Sequence, residues 1–258
     1  MKVIMDLVAG HSSDQSEWFK QSMEAPNLRY SDYYIWPTFK PEDDDPAPAQ
    51  QGGDAVLTIA HAPLSQKFVK TDAPRGSYYI KNFFDTQPAL NFGFANPDPN
   101  HPWEQAVDAP GPMAMRRELK NIMAFWMDLG VDGFRVDMAA SLVKNDFDKA
   151  ETIKLWQEDF MPWFGKEYPE GVLVAEWFNP SMSLEAGFDL DFFCHDGQYN
   201  YSTLFFNQNR FTGGHQDCYF DLEGRGELKT WYDLFSFQYE SSRGKGYVSL
   251  PSGNHDFT

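Results

Sequence analysis

Four acidic residues stand where chemistry could be done: Asp6, Asp137, Glu176 and Asp256. Each lies at or just beyond the end of a short apolar run, within VIMDLV, GFRVDMA, GVLVAEW and YVSLPSGNHD. Two carboxylates can cleave a glycosidic bond with retention when their carboxyl groups are about 5–5.5 Å apart, one as ionised nucleophile and one as acid. Arg135 lies two residues before Asp137, so on a strand both point to one side. A guanidinium there would keep Asp137 ionised and oriented. Glu176 lies between Ala175 and Trp177, apolar neighbours that would raise its pKa by desolvation, as an acid requires. His11 follows the first run directly. His61, His101, His195 and His215 have no metal-ligand spacing, and no metal site is expected.

The elements that must carry these residues are legible in the pattern. The run from Val3 is short, contains Val and Ile and ends near Gly10, as a buried strand does. Asp14 to Ser22 reads as a short helix capped by Asp14, with Glu17 in the reciprocal position. Residues 25 to about 110 lose helical periodicity and are rich in Pro, Gly, Asp and aromatics, with β-like pieces such as Tyr78-Tyr79-Ile80. A plain loop of that length is improbable, so the stretch reads as an irregular inserted subdomain. Met115, Leu119, Ile122, Trp126 and Leu129 then form one helical apolar face, with Gly130 as its stop. Further helices are expected over 147–165 and 226–242, and strands over 3–7, 133–138, 172–176, 188–193 and 246–250. Helices alternating with short apolar strands predict a parallel α/β fold. Carboxylates at the C-terminal ends of its strands predict the active-site face of a (β/α)8 barrel.

Composition narrows the partners. The 258 residues are 42% hydrophobic, enough for a sizeable core, and carry a net charge of −17. That charge argues against nucleic acid or an anionic membrane as partner and suits a neutral or cationic substrate. The 8 Trp, 12 Tyr and 23 Phe offer faces on which sugar C–H groups pack, although most belong in a core. Cys194 and Cys218 are too few for a disulfide framework and read as reduced thiols. No apolar stretch approaches the ~18 residues of a membrane span.

The motifs DLVAGH (6–11), GFRVDMA (133–139), AEWFNP (175–180) and SGNHD (252–256), in this order, resemble the α-amylase superfamily, glycoside hydrolase family 13. DLVAGHSSDQSEWF, YYIWP and QPALN (87–91) are most similar to its oligo-1,6-glucosidase and α-glucosidase branch. The resemblance spans the chain and is weakest between about 40 and 75. It implies a TIM-type barrel represented by strands three to seven. Residues 1–24 would form strand three and its turn, 25–110 domain B, and 111–258 strands four to seven with their helices. It implies Asp137 as nucleophile, Glu176 as acid and base, and Asp256 as transition-state stabiliser. Asp6, His11, Arg135 and His255 would bind or orient around them, with an oligosaccharide as substrate. In many members an Asn at the position of Gly10 ligates calcium; Gly10 has no side-chain oxygen, so no cofactor is expected. Ala89 replaces the Asp usual in QPALN, and Met138, at a position associated with linkage preference, matches neither common choice. An open five-strand barrel would leave two apolar parallel edges uncovered.

Hydrolysis of α-1,4- or α-1,6-linked gluco-oligosaccharides is the leading expectation. Transfer or isomerisation on sucrose, trehalose or maltose uses the same constellation, and a non-catalytic carbohydrate-binding remnant is the reading from another class. The glucosidase branch and the lack of a visible signal give a cytoplasmic expectation; the oligomeric state is left open.

Overall fold

The computed structural model describes residues 1–39, 67–193, 204, 218–220, 222 and 228–251. Their frame is one parallel sheet of five strands: β1 (Ile4–Leu7), β4 (Gly133–Val136), β5 (Val172–Ala175), β6 (Leu190–Phe192) and β7 (Tyr247–Ser249), adjacent in that order. Sequence order is spatial order, as in a barrel built from successive βα units. Strands β2 (Phe68–Ala73) and β3 (Gly76–Ile80) form a separate antiparallel hairpin between β1 and β4 in sequence. Tyr78-Tyr79-Ile80 lies in β3, as its alternating pattern predicts.

Six helices are described: α1 (Glu17–Glu24), α2 (Pro110–Asp128), α3 (Ala150–Leu155), α4 (Met161–Glu167), α5 (Pro180–Ser183) and α6 (Leu228–Ser242). Helix α1 starts later than expected. Ser16, not Asp14, caps it by accepting from the Phe19 amide at 3.2 Å. The reason is tertiary: the Ser12 and Asp14 amides donate to the Pro88 and Thr86 carbonyls, so this stretch is already paired across the fold. Helix α2 begins with Pro110 at its first turn and ends before Gly130, whose φ of +98° supplies the left-handed stop. The expected helix over 147–165 is instead α3 and α4 joined by a π-turn at Trp156–Phe160. That turn aims the buried Trp156 indole at the Ala139 carbonyl, to which its Nε1 donates at 3.2 Å.

The core between sheet and helices holds Phe134, Val136, Leu173, Ala175, Met115, Leu119, Met123, Trp156, Phe160 and Phe188. Each larger side chain among them contributes about 1.5–3 kcal/mol of burial. The apolar face of α2 is only half used. Its C-terminal Trp126 and Leu129 are 37% and 65% exposed, where the spacing predicts burial. Ile4 of the edge strand β1 and Val3 just before it are also exposed, and so is Tyr247 of β7. Among the described residues β1 and β7 are the two outer strands of the sheet. Cys218 is a buried free thiol, and Cys194 lies outside the described residues. No helix among the described residues is long and apolar enough to cross a membrane.

Candidate active site

Strand register builds the site. Parallel pairing sets Asp6 opposite Arg135, and Val136 opposite Ala175. One residue further on, past both strand ends, Asp137 and Glu176 therefore stand side by side. Their backbones are locked to the neighbouring strands: the Asp137 amide donates to the Leu7 carbonyl and the Glu176 amide to the Val136 carbonyl, each at 3.0 Å.

Arg135 is the hub. Its Nη1 donates to Asp6 Oδ1 at 2.7 Å and to Asp137 Oδ1 at 2.9 Å, and its Nη2 pairs with Glu176 Oε1. The two-residue spacing predicts the Asp137 contact but not the contact with Glu176. Only register across strands β4 and β5 reveals it. The remaining Glu176 oxygen, Oε2, accepts the Met138 amide at 3.0 Å, and the Glu176 carbonyl accepts the Ala139 amide at 3.2 Å. Met138 reaches this position with φ of 44°, in the left-handed region. The expected strand 133–138 consequently ends at Val136.

The carboxylates differ in setting. Burial pushes Glu176 up to about 7, opposed by Arg135 and the Met138 amide and reinforced by the charge of Asp137 and a hydrogen bond with it. The Glu176 side chain is 7% exposed and that of Asp6 55%, so Glu176 is the enclosed acid and Asp6 a rim group. Arg135 is itself raised: burial opposes its charge, and Glu176, Asp6 and Asp137 outweigh burial.

His11 follows β1 on the same rim. Asn82 Nδ2 lies 3.2 Å from His11 Nδ1 and 3.6 Å from Met138 Sδ. Donation from the Asn82 amide to Nδ1 leaves the proton on Nε2. Burial lowers the His11 pKa, so the neutral ring is favoured, with Asp137 pulling the other way. Asn82 comes from the segment 25–110, and nothing in its sequence neighbours marks it. Asp256 and His255 lie outside the described residues.

The surroundings of Gly10 bear on calcium. A Cβ at Gly10 would lie 2.9 Å from Asn82 Nδ2 and 3.3 Å from Ser141 Oγ, so a larger residue does not fit without displacement. Close by, buried Lys144 donates to the Ser141 carbonyl at 2.9 Å. Its pKa is driven well below the lysine range by burial, with Lys67 and Lys149 adding repulsion. An amide N–H is a donor and a lysine nitrogen, charged or neutral, is no oxygen ligand, whereas calcium requires six to eight oxygens. Among the described residues no cluster of three or more His, Cys, Asp or Glu is arranged for a metal.

Parallel βα units with carboxylates gathered at the C-terminal ends of their strands define a (β/α)8-type barrel with its site on the customary face. The chain belongs to the alpha-amylase family: the model of the alpha amylase catalytic domain matches residues 1–256. An oligo-1,6-glucosidase of a Bacillus species is 35% identical over 153 residues, 59% of this chain and 24% of that protein. Alpha-amylase 3 of Dictyoglomus thermophilum is 33% identical over 180 residues, 69% of this chain and 27% of that protein. The trehalose synthase/amylase of Mycolicibacterium smegmatis is 30% identical over 179 residues, 68% and 25%. The fold matches the crystal structure of the trehalulose synthase of Pseudomonas mesoacidophila with a TM-score of 0.64, at 21% identity, over 99% of this chain and 42% of that one. The chain thus spans about a quarter of the length of these curated relatives.

Proposed function

We propose that this chain carries the catalytic core of a retaining α-glucoside hydrolase acting on α-1,4- or α-1,6-linked gluco-oligosaccharides. The observation that carries the proposal is the Asp137–Glu176 pair. Strand register sets the two residues side by side, and one guanidinium, Arg135, pairs with both carboxyls. An inverting pair would stand about 6.5–9.5 Å apart to admit a water.

Asp137, held by Arg135, attacks the anomeric carbon as its bond to the leaving oxygen breaks, and Glu176 gives that oxygen its proton. Water then enters; Glu176 takes a proton from it, and the new hydroxyl displaces Asp137 with the configuration restored. Asp6 and His11, at the rim, suit the hydroxyls of the non-reducing sugar, and the segment carrying Asn82 suits one wall of the cleft. Asp256 and His255 complete the site in this reading, on the strength of the SGNHD motif.

The test is proton NMR of the sugar released from maltose or isomaltose. An α-anomer formed first is expected, and an inverted first product would sink the mechanism. Transfer to a sugar acceptor is the second reading, favoured by the 30% identity to a trehalose synthase/amylase. Sucrose, trehalose and maltose, assayed for isomeric products, separate the two. We also infer that no calcium is needed, because Gly10 brings no side-chain oxygen and the Asn82 Nδ2 donor fills the space beside it. Activity and melting temperature should be unchanged by excess EDTA, and restoration by calcium of a lost activity would refute this.

A further inference from the structure

Strand β6 carries a fully buried charge that the proposed chemistry does not use. Asp191 is 0% exposed, in the middle of an apolar strand. Its Oδ1 accepts the amides of Trp177 and Phe178, each at 3.2 Å, and of Phe192 at 2.8 Å. Its Oδ2 accepts the Asn179 amide at 3.0 Å and the Ser183 hydroxyl at 2.7 Å. All five partners donate, so the ionised carboxylate is the form that satisfies them, although burial pushes this group up to about 7.

Three of those donors are consecutive, and they follow Glu176 directly. Phe178 sits at φ of 61°, and Asn179 then opens helix α5. This is a tight backbone nest closed around one anion. Without Asp191 the amides of 177–179 lose their acceptor, and a buried donor left unpaired is destabilising. Upstream, the Glu176 amide and carbonyl are already bonded to Val136 and Ala139. The backbone is therefore fixed on both sides of the Glu176 Cα, which determines where its carboxyl projects.

We propose that Asp191 is a positioning residue for the general acid: it moulds the 177–179 turn so that Glu176 meets Arg135, Asp137 and the leaving oxygen together. The proposal rests on the glycosidase reading for its catalytic consequence but not for its geometry. Substrates of different leaving group separate it from a role in folding alone. With Asp191→Asn, kcat/KM on maltose, whose departure needs a proton, should fall by about 10²-fold or more, the usual worth of a positioned acid. On α-glucosyl fluoride, whose leaving group needs little proton assistance, it should fall far less. In parallel, 13C-carboxyl NMR of Glu-labelled protein, with Glu176 assigned by its loss in Glu176→Gln, should show a moved titration midpoint in folded Asp191→Asn.

Equal losses on both substrates would overturn the proposal, as would an unmoved Glu176 midpoint in the folded variant. If Asp191→Asn does not fold, Ser183→Ala, which removes one donor to the same carboxylate, carries the test with smaller changes of the same sign. If the unchanged chain cleaves neither substrate, the glycosidase reading fails, and the carboxyl titration alone decides whether Asp191 positions Glu176.

Discussion

Asp137→Asn should lower kcat on maltose or isomaltose by at least ~10³-fold, about 4 kcal/mol of transition-state stabilisation. The fold should survive, because an amide oxygen still accepts from Arg135 where Asp137 Oδ1 now does at 2.9 Å. What disappears, in the proposed mechanism, is the anionic nucleophile of the covalent step. KM should change little in comparison, since the loss falls on the step that makes the bond. The expected readout is a slow variant that melts near the unchanged protein and yields no Asp137 adduct with a 5-fluoro-glucosyl fluoride. A loss of kcat below tenfold would remove Asp137 as nucleophile.

Arg135→Met should do damage of a second kind. It leaves Asp6, Asp137 and Glu176 gathered around an uncharged side chain. Breaking a buried ion pair on one side costs about 3–5 kcal/mol when the remaining charge stays ionised. Glu176 sets the sign. Its folded pKa of about 7 lies above its ordinary 4.5, so its contribution is intact below the lower value and is lost as pH rises through the upper one. Arg135 lowers that folded pKa, so removing it widens the window upward. The stability deficit of Arg135→Met should therefore grow from pH 5 to pH 8 in urea titrations, and its kcat/KM–pH profile should extend to higher pH at a rate reduced about 10²-fold or more. Arg135→Lys should restore part of the stability but little of the rate, because one ammonium cannot reproduce a fork that reaches three carboxylates. A deficit independent of pH would contradict the hub role.

Much of this arrangement was legible because strand patterning and site chemistry coincide. GFRVDMA and GVLVAEW read at once as parallel strands and as carboxylates at their ends, and both readings hold in β4 and β5. Local rules failed where tertiary contacts override them. The cap moved from Asp14 to Ser16 because the amide of Asp14 was engaged by the Thr86 carbonyl, 72 residues away. The face of α2 stayed exposed at Trp126 and Leu129 because burial depends on what lies opposite, which periodicity does not encode. Arg135 reaching Glu176, and Asn82 reaching His11, depend on register and on the path of a long irregular segment. Asp191 leaves a mark in the sequence, a charge inside the apolar run GFDLDFF. The roles of Asp256 and His255 rest on their motif, since both lie outside the described residues.

Met138 separates two kinds of duty within one residue. Its amide donates to Glu176, the proposed general acid, and its left-handed φ is what aims that amide. Its sulfur lies against Asn82, in the segment that would wall the cleft. The part that serves the chemistry is main chain, common to every amino acid except proline. The part that touches the wall is side chain, and it can be exchanged. On the proposed function, a change of side chain at position 138 would reshape the room beside Asn82 while the backbone hydrogen bond to Glu176 stays in place. Asn, Asp or Gly, which adopt left-handed backbone most readily, would be the least disruptive changes.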